Sequence, residues 1–163
     1  MEEELIRYKS EQAHSYLERI RKMGEDCAAL ELEVDDARTR ASGVKGIDYS
    51  EVRVTTSRND DAMVNAIESV KAAIRDYVVK LAEFTDERKK ASDAMNLMED
   101  FTEARALRLR YLLGWKWERV CTEMDYSWDG MMKLRRRALC SYHDVMPLEG
   151  RDPLPVARPR EYD

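Results

Sequence analysis

Arg135, Arg136 and Arg137 form an unbroken basic triplet, and Lys116 and Lys133 stand nearby in the chain. Guanidinium forks grip phosphate oxygens in pairs, whereas a lysine ammonium meets them as a point charge. Lys133 can also donate to a guanine edge, and Asp129, four residues earlier, can accept from a cytosine amino group. Trp128, beside Asp129, suits either stacking in a groove or packing on a preceding helix. Residues for covalent or acid–base chemistry are missing from the pattern. No nucleophile elbow, H-E-x-x-H, phosphate loop or His–carboxylate constellation occurs, so no catalytic residue and no enzyme activity are expected. Cys140 and His143 have a ligand-like spacing but no second pair, and Cys27 and Cys121 lie far away. The cysteines read as small interface residues, with no metal, disulfide framework or cofactor expected.

The charge is divided along the chain. Nine Lys or Arg against four acids between Arg105 and Arg137 make that segment +5, while residues 1–104 carry 16 basic and 24 acidic side chains and sum to −8. The whole chain is −5 over 163 residues. Net acidity argues against a polyanionic partner, but a basic segment at one end provides the local field that such a partner needs.

The elements that must carry these residues follow from capping and period. A helix over DFTEARALRLRYLL ends at Gly114. A short helix from Lys116 to Met124 has Trp117, Val120, Cys121 and Met124 at core spacing, with Trp115 and Trp117 as the bulky residues that seat it. Ser127 is an N-cap for a last helix, with Asp129 in the first turn and Met131, Leu134, Ala138 and Leu139 facing inward. Helix, short helix, turn, helix is the layout in which the final helix enters a major groove while flanking cations meet phosphates.

Upstream, the spacing predicts two long helices. Ala13/Tyr16, Ile20/Met23, Cys27/Leu30 and Val34/Ala37 alternate steps of three and four, as do Ile67/Val70, Ile74/Tyr77, Leu81/Phe84, Arg88/Ala91 and Met95/Met98. Two runs of similar length with a loop at about residues 42–60 predict an antiparallel coiled-coil hairpin over residues 1–98. The loop includes a β-branched stretch, Val52 to Thr56, compatible with a short strand, and Asn59, Asp60 and Asp61 are N-cap candidates for the second helix. His14 falls on the outer face of the first helix, in solvent. Tyr8, Leu17, Val64, Val78 and Val79 lie outside the simple seam, so the thin core leaves apolar surface for a homo-oligomer, a dimer by preference. The fold class is all-α: the hairpin, a module over residues 99–146, and a proline-rich tail over 147–163 that cannot continue a helix and is expected to be extended or disordered. No apolar run is long enough to cross a membrane and the acidic start is unlike a signal peptide, which points to the cytoplasm.

The string LRYLLGWKWERVCTEMDYSWDGMMKLRRRAL resembles region 4 of bacterial sigma factors. It is closer still to a phage and prophage family of sigma-like proteins related to late-gene activators, through Arg110-Tyr111, Trp117-Glu118, Met124, Tyr126-Ser127, Lys133-Leu134 and Arg137-Ala138-Leu139. Val54-Thr55-Thr56-Ser57 and Asp60-Asp61-Ala62-Met63 are similar to the upstream pattern of that family. The resemblance implies a sequence-specific transcription regulator that binds double-stranded DNA, with RNA polymerase as a second partner. It implies Ser127, Trp128, Asp129, Met132 and Lys133 as base-facing candidates, and Lys116, Arg135, Arg136 and Arg137 as phosphate candidates. This chain departs from the family where long polar residues are usual, by having Trp128, Gly130 and Met132. Two other functions fit the same elements: a DNA-packaging protein of the small-terminase type, and an adaptor that docks RNA polymerase after losing DNA binding.

Overall fold

The computed structural model describes residues 2–44 and 56–152, apart from the side chains of residues 44 and 56–60. Among the described residues all secondary structure is helical: α1 (Glu2–Val44), α2 (Thr56–Met95), α3 (Phe101–Leu107), α4 (Trp117–Met124) and α5 (Trp128–Val145). The helices run into both ends of the expected 42–60 loop, because α1 continues to Val44 and α2 begins at Thr56. Asn59, Asp60 and Asp61 therefore lie inside the first turns of α2 and do not cap it. Residues 45–55, including most of the β-branched stretch, lie outside the described residues, as do residues 153–163 of the tail. No described helix is long and apolar enough to cross a membrane.

The chain forms two compact units, one of Ile20–Arg88 and one that joins the chain up to Arg19 with Lys89 onward. In the first, Ile20, Cys27 and Val34 of α1 are buried, at the heptad positions the sequence marks. Gly24 lies against the Phe84 ring, which an added Cβ would approach to 3.1 Å. On α2 the seam is thinner. Val70, Ile74, Tyr77 and Phe84 are half-buried, and Ile67 and Leu81 are exposed. Leu32, Met63, Val64, Val78 and Val79 are exposed as well, so two helices alone leave much apolar surface in water.

The second unit has a closed core. Ala13, Tyr16 and Leu17 of α1 and Ala91, Ala94 and Met95 of α2 are buried, together with residues of α3, α4 and α5. Asp100 starts α3 by accepting from the Thr102 and Glu103 amides at 2.8 and 3.2 Å. The end of α3 opens into a π-helical segment, Arg108–Leu112, in which Leu113 N–H reaches back five residues to Arg108 O at 3.0 Å. Gly114, at φ 71°, then reverses the chain, a conformation that glycine adopts without Cβ strain.

α1 and the end of the chain meet around α5. Tyr16 stacks on Tyr142, Lys9 pairs with Asp144 at 2.7 Å, and Cys140 Sγ approaches Ile6 O at 3.3 Å. His14 is not in solvent as its heptad position suggests: it is half-buried, with Nδ1 2.8 Å from the hydroxyl of buried Tyr111. The face that a two-helix seam would leave outward is here covered by the C-terminal helices. Part of the tail is also ordered. Leu148–Gly150 form a 3-10 turn, and Arg151 clamps its base by donating to Met146 O at 2.7 Å and Asp144 O at 2.9 Å.

Two predictions test this packing. A Cβ at Gly150 would stand 2.6 Å from the Tyr16 ring, whereas at helical Gly43 it would meet nothing within 4 Å. Gly150→Ala is expected to lower the melting temperature, and Gly43→Ala to leave it unchanged or raise it by the helix preference for alanine, up to ~1 kcal/mol. Burial holds the His143 imidazole below its ordinary 6.5, against the opposing pull of Asp144. Its Nε2 lies 3.1 Å from Gln12 Oε1, and burial resists the second ring proton. Because the unfolded chain binds that proton more readily, this contribution is complete above the unfolded pKa and declines as pH falls below it towards the folded value. Thermal melts between about pH 7.5 and 5 should show falling stability, with a shallower slope in His143→Gln.

Candidate nucleic-acid interface

The position of α5 is set from its first turn. α4 ends at Asp125, whose left-handed backbone (φ 57°, ψ 46°) is one that aspartate tolerates better than most non-glycine residues. Tyr126 N–H then closes on Cys121 O at 3.0 Å. Ser127 caps α5 by accepting from Gly130 N–H at 3.1 Å. The glycine has a local reason, since a Cβ there would stand 3.1 Å from the capping oxygen. Behind the turn, Met131 and Leu134 of α5 meet Ala106, Val120 and Cys121, with Trp115 and Trp117 packed against that cluster. All four inward positions read from the sequence on α5 are buried.

With the inner stripe committed, the outer face follows from about 100° per residue. Asp129, Lys133 and Arg136 fall within an arc of about 60° and are exposed. Ser127 and Trp128 are exposed at the start of the helix, and Trp128 retains half its surface. Met132 sits to one side, half-buried and packed on the core cluster. Its contact with the core is therefore firmer than any outward role.

Most of the segment's cations have partners inside the protein. Arg105 pairs with Glu123 at 3.4 Å, and Arg108 donates to Ser92 Oγ at 2.8 Å and Asn96 Oδ1 at 2.6 Å. Arg110 donates to Trp115 O at 2.9 Å, and the Arg119 guanidinium lies 3.7 Å over the Trp115 ring. Arg135 is half-buried, its guanidinium 5.7 Å over Trp117, beside Tyr111. Burial pushes the Tyr111 phenol up, with the Arg135 and Arg110 cations opposing it. Arg137 pairs through Nε with Oε1 of buried Glu103 at 2.5 Å, and that hydrogen bond raises its own pKa. Lys116, at the start of α4, and Lys133 and Arg136 on α5 are exposed, and their side chains make no ion pair or hydrogen bond with the described residues.

The expected phosphate candidates are thus of two kinds. Lys116 and Arg136 present whole charges to solvent, while Arg135 and Arg137 also hold the module together. Sequence reasoning missed Glu103 altogether, the acid that gives Arg137 its second task, because nothing in its spacing distinguishes it from solvated acids on α1 and α2. It also missed Ser10, Glu11 and His14, which α1 brings to the flank of α5 beside Met132, Arg135 and Arg136. Compared with protein-family models, with curated proteins and with solved structures, the chain matches none.

The Glu103–Arg137 pair predicts unequal effects of neighbouring substitutions. Arg137→Ala leaves a buried carboxylate without its partner, whereas Arg136→Ala removes only a solvated cation. Arg137→Ala should lower the melting temperature clearly and Arg136→Ala should not. Pairing Arg137→Ala with Glu103→Gln should restore part of the loss, a coupling that a double-mutant cycle reads directly.

Proposed function

We propose that this protein is a DNA-binding transcription regulator of the phage and prophage sigma-like type. α4, the turn and α5 act as a helix-turn-helix resembling sigma region 4, and α5 is the helix that enters the major groove. The observation that carries this reading is the outer face of α5, where Asp129, Lys133 and Arg136 lie together, exposed, with both cations unused by the protein itself. Lys133 and Asp129 are the residues suited to base edges and Arg136 and Lys116 to phosphates. Ser127 and Trp128 stand at the end of α5 that would lie deepest in the groove. In the same reading α1 and α2 pair over Ile20–Arg88 as an antiparallel coiled-coil hairpin. The exposed Met63, Ile67, Val78 and Leu81 of α2 then give the protein a surface through which to form a dimer.

A second reading, docking to RNA polymerase without DNA, draws on the aromatic edge beside the turn, where Tyr126 and Trp128 are 38% and 50% exposed. DNA binding separates the two. With a mixed-sequence duplex, affinity should fall with salt, by a log–log slope of about −0.9 per phosphate neutralised, or about −1.8 for a module using Lys116 and Arg136 on phosphates. Lys133→Glu combined with Arg136→Glu should weaken binding at least about tenfold at low salt and flatten that slope. Arg38→Glu, on exposed α1 surface, should change neither by a comparable amount. Unchanged affinity in the α5 variant would remove this face from the DNA, and absence of binding by the parent protein would favour the docking reading.

A further inference from the structure

A groove of about 300 Å³ lies between the first turns of α1 and the middle of α5. Ser10, Glu11 and His14 form one wall and Met132, Arg135, Arg136 and Leu139 the other. We propose that it is a phosphate site, formed jointly by α1 and α5 and distinct from the face that carries Asp129 and Lys133. Two features carry the assignment. Arg135 and Arg136 both line one small concavity, and an anion seated there would offset the repulsion between these neighbouring cations. The single carboxylate in the lining, Glu11, is neutralised by Arg7 at 2.7 Å, so the local balance stays positive.

The volume is at the lower limit for small-molecule sites, enough for a phosphate with a compact substituent. The apolar Met132 and Leu139 would cover such a substituent while the arginines hold its oxygens. The phosphate can come from a free monoester or from a DNA strand lying along the flank of α5. The second source rests on the DNA-binding reading above, and the first does not. Either source makes the start of α1 part of a ligand site and gives Arg136 a role on both faces.

The two histidines of the chain make the test direct, because His14 lines the groove and His143 lies elsewhere in the same unit. Imidazole NMR signals of the full-length protein would be followed during titration with inorganic phosphate, with glycerol phosphate and with duplex DNA, each against sodium chloride at equal ionic strength. The His14 signals should shift saturably with at least one phosphate source while those of His143 stay in place. Arg136→Gln and Arg135→Gln should each weaken that saturation about tenfold, and Arg136, being exposed, keeps the test valid if Arg135→Gln impairs folding. Saturation by the free phosphates assigns a small-molecule site, and saturation by duplex alone assigns a strand contact. Failure of all three to shift His14 overturns the proposal. DNA binding that is lost on Lys133→Glu yet never moves His14 would overturn the strand contact and leave the DNA-binding reading intact.

Discussion

A single constraint organises the C-terminal part of this protein: α5 must bury Met131, Leu134, Ala138, Leu139 and Tyr142 along one side. An 18-residue helix with so long an apolar stripe cannot stand in water, and every neighbour of α5 exists to cover part of it. α3 and α4 take the first half, and α1 with the 3-10 turn takes the second. Once that stripe is committed, helix geometry leaves one arc for solvent, and the charges on that arc are those able to meet an outside partner.

The same constraint explains why the Arg105–Arg137 segment, with a charge of +5, presents so few unengaged cations. Arginine stems and guanidinium planes cover Trp115 and Trp117, satisfy the Trp115 carbonyl after the π-helical segment, and neutralise Glu103. These contacts place cationic groups in the walls of the module, where they add to its field without being available for direct contact. A count of basic residues therefore overstates the contact surface, while still describing the local potential.

The Ile20–Arg88 unit is built differently. Its two helices bury one narrow seam, with α2 contributing only half-buried residues, and leave valine, leucine, isoleucine and methionine side chains in solvent. Two helices have too high a ratio of surface to volume to do otherwise. An apolar surface of this kind is the one that the dimer proposed above would bury.

Local signals alone determined a large part of this protein. The heptad steps located Ile20, Cys27 and Val34, the serine hydroxyl located the start of α5, and the 3.6-residue period selected Met131, Leu134, Ala138 and Leu139 as its inner face. Each depends on interactions within a few residues, which spacing records. The ends of the two long helices were less legible, because Asn59-Asp60-Asp61 can cap a helix only where it begins, and α2 starts before them. What only the tertiary structure decided were contacts between residues far apart in the chain: His14 against Tyr111, Glu103 under Arg137, Gly150 against Tyr16, and Ser10 facing Arg136 across a groove. A side chain's exposure depends on everything packed around it, so the sequence could name the cations of the module, but only the fold could decide which of them face outward.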